Sequence, residues 1–556
     1  MLRNLLRARP AMLASIVWTS ASLLAPAGCV GQAGDGSELE ASAPPGERLA
    51  ALDHDLTIGS TGDDVRAVHA YLGRYGYFPN DDLARKYPAW RPLVATPPAD
   101  AAIYDGHTAL AIQHLQANME LTVTGVVDAP TRAVMKVVRC GVPEGIPPLD
   151  LTDKFAQGGS TWNKTTITWR LLNNDDVTLA QAQSAIAAAF ASWSAQTSLS
   201  FVQLASGTPD IQLQFAPIDG PGNIGAQTGF PADGGDMTID TAETWSVASP
   251  TPAGAIDLQT VVLHELGHAL GLALSSLTSA SMYPNYQGPN HFLGLDDKVG
   301  VSSLYDTFVQ VPGAAKDIAI GSNGAVWVVG TNAFGNGFQA YRWNGAGWDG
   351  TDGGGVRVAI DGFGRPWLVG ANGAIYRRDT SATVDTGVWT RQPGLARDVG
   401  AGADGSVWII GTNATPGGNE IYKFNGTGWD LSDGGALRIT VGPDGVPWVV
   451  NINNHIFQKQ TNSPFIAGWN ELSGVSVDVG INGGNYLWGI AGPVSGGAAN
   501  VAVWDQQAAF GTAPAEALFV RGKHVGIGGL ISSVAVDTNG DPWVVDDNGN
   551  IFRTAK

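Results

Sequence analysis

Tryptophan recurs at a nearly fixed interval through the C-terminal part of this chain. Trp327, Trp367, Trp408, Trp448 and Trp488 stand 40, 41, 40 and 40 residues apart, and Trp543 follows after 55. Each closes a similar phrase: compare Ile318 to Gly330 with Ile439 to Val450, where a glycine (Gly324, Gly445) stands three residues before the tryptophan. A second tryptophan trails by about 21 residues, at Trp348, Trp389, Trp429 and Trp469. Hydrophobic strands joined by Asn-Gly or Asp-Gly turns are hairpin grammar. A period near 40 with four short strands per unit predicts the blades of a β-propeller. Six units predict six blades over residues 308–556. Phe308 to Pro312 matches the strand missing after Ile551-Phe552-Arg553, so the two ends are expected to close the ring together. Most of these tryptophans are expected in blade cores.

The units resemble tectonin repeats. That resemblance implies a glycan, lipopolysaccharide or protein ligand. Composition fits turn-rich β structure: 74 of 556 residues are glycine and 15% are charged. A net charge of −19 excludes nonspecific binding of nucleic acid, which needs a basic face.

The N-terminus carries an export signature. Arg3, Arg7 and Arg9 precede an apolar run from Ala11 to Ala25, and Ala25-Pro26-Ala27 fits a signal-peptidase site. Residues 1–27 are therefore expected to be a signal peptide. Leu24 to Cys29 also resembles a bacterial lipoprotein box, so release and lipid anchoring at Cys29 both stand. Residues 28–55 read as a flexible linker.

Residues 56–145 show helical periodicity at Val65, Val68, Tyr71 and Leu72, and again at Ala109, Ile112 and Leu115. Asp128 and Pro130 open a further helix. Gly62 to Val65, Gly76-Tyr77 and Leu121 to Thr131 resemble the peptidoglycan-binding-like domain, which implies a cell-wall ligand. Its tail, Arg139-Cys140-Gly141-Val142-Pro143-Glu144, resembles the cysteine switch of the matrix metalloproteinase propeptide. That family has Asp where Glu144 stands. The resemblance implies that Cys140 ligates zinc in a latent zymogen.

Residues 152–307 carry the chemistry. Thr165 to Trp169, Leu199 to Leu204, Ile211 to Phe215 and Met237 to Asp240 read as strands. Thr178 and Gln181 form a capping box before a helix. Asp219 to Asp236 reads as a glycine-rich loop. The centre is His264-Glu265-Leu266-Gly267-His268. Residues four apart share a helix face, so both imidazoles reach one metal. Glu265 beside them suits a general base acting on a water that the metal polarises. Ser281-Met282-Tyr283-Pro284 resembles the Met-turn of metzincins, and Leu293 to Tyr305 their final helix. The whole then resembles a matrix metalloproteinase: an α-helical prodomain, an α/β metzincin domain and a propeller. This implies a secreted zinc endopeptidase acting on proteins or peptides.

The chain departs from that pattern in two places. Metzincins place a third histidine where Leu274 stands, and leucine binds no zinc. Three readings follow: a weakly bound but working metal, a substitute ligand such as His291, or an inactive binding protein. The family's structural zinc is also not expected, because Gln227 and Thr238 stand at its ligand positions. Asp219, Asp240 and Glu243 match a structural calcium site by resemblance, and Asp210 and Asp236 a weaker second one. Carboxylates and carbonyls are the oxygen donors that calcium needs.

Overall fold

The computed structural model describes residues 45–146, 155–157, 160–379, 387–482, 486–491, 500–504, 517–520 and 530–555. The export signature and Cys29 lie outside them. None of the described helices is long and apolar enough to cross a membrane.

The N-terminal region contains α1 (Pro45–Ala51), α2 (Asp63–Arg74), α3 (Asp81–Lys86), α4 (Gly106–Asn118) and α5 (Ala129–Met135). Val65, Val68, Leu72, Ile112 and Leu115 are fully buried between them. Asp105 caps α4 and Asp128 caps α5, each accepting from amides of the first turn. Such caps satisfy amides that a helix start leaves unpaired. Gln116 is fully buried, and its amide nitrogen donates to Thr124, Thr131 and the Val126 carbonyl. It thereby pins the loop leading into α5. The helix α1 lies inside the stretch expected to be a tether. Leu49 and Leu52 enter the common core, an attachment that the polar composition around them hides.

The central region is built on one mixed sheet. Its strands are β1 (Arg139–Cys140), β3 (Thr166–Leu171), β4 (Ser200–Gln203), β5 (Ile211–Ala216), β6 (Ile224–Thr228) and β7 (Met237–Asp240), with β2 (Phe155–Gln157) falling outside it. The order across the sheet is β1-β6-β7-β5-β3-β4. The burial of β3 and β5 alternates, so one face packs inward. Against it lies α6 (Leu179–Ser194), started by the Thr178–Gln181 capping box. Then come β8 (Trp245–Ser246), β9 (Ile256–Asp257), α7 (Leu258–Ala269), β10 (Leu272–Ser275) and α8 (Leu295–Tyr305). The expected loop from Asp219 to Asp236 is corrected: it contains β6 and a short 3₁₀ turn, Pro231–Asp233. Strand β6 reads as loop because its sequence, Ile224 to Thr228, lacks alternation. It is buried on both sides, between β7 and the incoming β1.

Among the described residues, those after 306 form β-strands joined by turns. The first strand, Thr307–Ile320, pairs with Asn550–Ala555 through Phe308↔Thr554 and Val311↔Ile551. The two ends of the region are thus joined, as the sequence pattern requires. Trp327, Trp367, Trp408 and Trp448 are at most 1% exposed. The trailing tryptophans reach back instead. Trp348 and Trp429 donate to the Pro312 and Pro393 carbonyls, and Trp389 to Asp352.

The repeat alternates in a way the tryptophan spacing conceals. Ten residues before each core tryptophan stand Asp317, Arg357, Asp398, Arg438, Asp478 and Ser533. Asp317 accepts from the Val358 amide, Asp398 from Ile439 and Asp478 from Val534. Arg357 lies 3.0 Å from Asp317 and 3.7 Å from Asp398. Two fully buried cations repeat likewise: Arg378 on Asp352, and Lys459 on Asp433. The structural unit is therefore a pair of sequence repeats.

Candidate metal centre

Helix α7 is fixed at both ends. Asp257 caps it, accepting from the Thr260 amide at 2.8 Å. At the far end Gly271 has φ 104°, and a Cβ there would lie 2.4 Å from the Ser160 carbonyl oxygen. Glycine is thus required both by conformation and by close approach.

On one face of α7 stand His264 and His268. His264 Nδ1 is 2.7 Å from the Ser281 carbonyl oxygen, and His268 Nδ1 is 2.7 Å from that of Leu272. A carbonyl only accepts, so both Nδ1 atoms carry the proton. Both Nε2 atoms then present lone pairs, 3.1 Å apart. Burial lowers the His264 pKa to about 4 and pushes His268 well down. Neutral imidazoles facing each other this way suit a cation between them.

Cys140 completes the cluster, with Sγ 3.3 Å from His268 Nε2. Among the described residues, Cys140, His264 and His268 form the group of His, Cys, Asp or Glu donors that converges within 4.8 Å. Burial first, then Glu265, pushes the thiol well above its ordinary value. A divalent cation would reverse that, since coordination deprotonates a thiol. One thiolate and two imidazoles are a donor set for zinc.

Cys140 is held by backbone pairing into the central sheet. Its amide donates to the Pro284 carbonyl at 3.0 Å, and that of Gly141 to the Ala226 carbonyl at 2.9 Å. Arg139 lies 3.1 Å from Glu144, with its guanidinium 4.1 Å over the Tyr75 ring. This buried pair fixes the strand on both sides of the thiol.

Glu265 is completely buried, beside Thr228 and Cys140. Burial pushes its pKa up to about 7, the range a general base needs. Met282 lies beneath α7. A Cβ at Gly267 would stand 2.1 Å from the Met282 Sδ. Asp297, which sequence reading placed only in a family-like helix, proves a positioning residue. Its carboxylate accepts from the Ser281, Met282 and Gly294 amides at 2.6, 2.9 and 2.7 Å. It therefore sets the turn whose Ser281 carbonyl orients His264. Beside His264 a cavity of about 190 Å³ opens between Val261, Tyr283 and Tyr286.

Other expected ligands go elsewhere. Leu274 packs with the apolar cluster that holds Cys140, Val142 and Phe230. His291 does not approach the metal face in its stead: its Nε2 is 2.8 Å from Asp257 at the start of α7. Asp240 accepts from the Ile218 and Ala242 amides, Glu243 from the Gly222 amide, and Asp219 pairs with Arg74 of α2. These three acids secure one loop and lie near enough for Asp240 to raise the other two carboxyls, after burial. Asp210 likewise accepts from the Thr168 amide, and Asp236 from that of Gln212. Calcium at either place rests on the resemblance alone. Gln227 accepts from Lys86.

Comparison with known proteins agrees with this geometry. Residues 161–306 match the matrixin peptidase family. Residues 61–135 match a putative peptidoglycan binding domain. Human matrix metalloproteinase-20 is 36% identical over 209 residues, covering 35% of this chain and 41% of that protein. Drosophila melanogaster matrix metalloproteinase-2 is 29% identical over 298 residues, covering 48% and 37%. Human neutrophil collagenase is 34% identical over 208 residues, covering 35% and 43%. The chain spans less than half the length of these relatives.

Proposed function

We propose that this chain is an exported zinc-dependent endopeptidase, made as a zymogen and directed to its target by a six-bladed β-propeller. The observation that carries the reading is the pair of inward-facing Nε2 lone pairs on α7, with Glu265 buried beside them. Zinc held by His264 and His268 would polarise a peptide carbonyl and acidify a water. Glu265, with its raised pKa, takes and returns the proton. Tyr283, Tyr286 and Val261 offer an apolar recess for a substrate side chain. Strand β1, with Gly141 after it, covers the site and must leave before a peptide enters. In support of the propeller, the strands led by Thr307, Arg357, Trp389, Arg438, Val479 and Ile531 neighbour one another in that order, and the last neighbours the first. The test is zinc content and casein cleavage by the processed protein. Stoichiometric zinc with cleavage abolished by Glu265→Gln is expected; cleavage that survives this change refutes the assignment.

Leu274 favours a second reading, an inactive surface lectin or adhesin whose central domain is a scaffold. In that case Glu265→Gln changes no phenotype, while deletion of the propeller does.

A further inference from the structure

One strand face runs along the metal helix. Side chains alternate on β6 and on the extended residues that follow it. Gln227 turns to Lys86 of α3. Ala226, Thr228 and Phe230 turn to α7. Ala226 lines the cavity beside His264, and Phe230 meets the His268 ring in a T-shaped contact with centroids 5.9 Å apart. Thr228 stands between them, beside Glu265. It is 1% exposed and pairs opposite Met237 of β7.

Ala226 and Phe230 bring no polar side-chain atom to this face, and Thr228 brings one. Valine is also β-branched and suits a strand as well. A hydroxyl taken out of water costs free energy that valine avoids, unless it finds a hydrogen-bond partner. The group that Thr228 faces is the one carboxylate of α7, itself completely buried.

We propose that Thr228 is the positioning residue of the general base: its hydroxyl donates to one oxygen of Glu265 and leaves the other turned toward the water that Glu265 deprotonates. The proposal rests on the endopeptidase reading above and adds a residue to it. Cys140 is the second group beside Glu265, and under that reading its place is temporary, because β1 leaves. Thr228 belongs to the central sheet and stays. One neighbour of the carboxylate is thus exchanged for water while the other keeps it aimed. The last torsion of a glutamate is broad and holds no single angle by itself. A group misplaced by about 1 Å can cost ~100-fold in rate. No motif marks Thr228, since its only signal is an inward position on a strand that reads as loop.

Thr228→Val removes the donor and keeps the branched shape, whereas Thr228→Ser keeps the donor and loses a methyl group. Each is made in the full chain and processed, and zinc content, KM and kcat are measured with a fluorogenic peptide. Thr228→Val should lower kcat roughly 10- to 100-fold with KM and zinc content unchanged, and Thr228→Ser should stay within about threefold of the parent. A second measurement needs no turnover. Infrared difference spectra of the metal-free full chain identify the Glu265 carboxyl band by its loss in Glu265→Gln. That band should move in Thr228→Val and hold in Thr228→Ser. If Thr228→Val does not fold, Thr228→Ala replaces it in both measurements. A donor-free variant as active as the parent overturns the proposal, and so does an unmoved band. A loss of rate matched by lost zinc or a raised KM also overturns it, because Thr228 would then only be packing. Parent protein whose cleavage survives Glu265→Gln overturns the endopeptidase reading itself, and this proposal with it.

Discussion

Arg139 and Glu144 offer the sharpest test of how the cysteine strand is held. Their side chains are 0% and 10% exposed, 3.1 Å apart. Glu144 also accepts from Asn118 at 3.1 Å, while the Nε and Nη1 atoms of Arg139 have no hydrogen-bond partner. Burial outweighs Arg139 and raises the Glu144 carboxyl. Burial also opposes the charge on Arg139, but Tyr71 and Glu144 raise it, so the buried guanidinium depends on its carboxylate. Two consequences follow. Glu144→Leu strands a buried guanidinium, and breaking a buried pair in this way costs about 3–5 kcal/mol. The double change Arg139→Leu with Glu144→Leu removes both charges and should cost little, as such replacements often do. The readout is the rate at which a disulfide reagent labels Cys140 in the metal-stripped Cys29→Ser chain. Labelling needs local opening, and its rate follows the opening equilibrium when closing is fast. At ~1.4 kcal/mol per tenfold, Glu144→Leu should label roughly 140- to 3,700-fold faster, and the double variant within about tenfold of the parent. A single variant within threefold of the parent, or a double variant as fast as the single, refutes the reasoning.

Two further outcomes follow from the geometry. Gly267→Ala would drive a Cβ into the Met282 sulfur, and overpacking of this kind costs ~1–3 kcal/mol; urea unfolding followed by tryptophan fluorescence should show the loss, with Met282→Ala partly relieving it. Asp478 is buried, and burial raises its pKa to about 6 although Arg357 and Arg438 oppose this. The folded protein thus holds a proton that the unfolded chain has released, so stability is full below about pH 4 and declines as pH rises through about 6. Asp478→Asn should flatten that part of the pH–stability curve, and an unchanged slope would show that Asp478 is not its source.

The elements that were legible in the sequence are those whose logic is local. The caps of α5 and α6 need only a side chain within three residues of an amide. The imidazole pair on α7 needs only helical spacing. The pairing of residues 308–311 with 551–554 could be read because one unit of a repeat lacked a strand at each end. What stayed hidden depends on partners far along the chain. Strand β6 reads as loop because it owes its form to β7 on one side and β1 on the other. Asp297 looks like one acid of a helix start, and only the fold shows it holding the turn that aims His264. Arg378 and Lys459 belong to no motif, yet both are buried on an aspartate 26 residues earlier. Their 81-residue spacing, shared by Asp317 with Asp398 and by Trp348 with Trp429, carries the true period of the C-terminal region. Tryptophan reports only half of it, because every unit needs a core and only alternate units need a given charge. The same distinction applies at the metal centre. A motif reading finds Leu274 as a missing donor, whereas the fold finds it in the cluster that packs around Cys140. Leu274 and Cys140, 134 residues apart in the chain, therefore meet in one apolar cluster, a contact that no motif spacing could show.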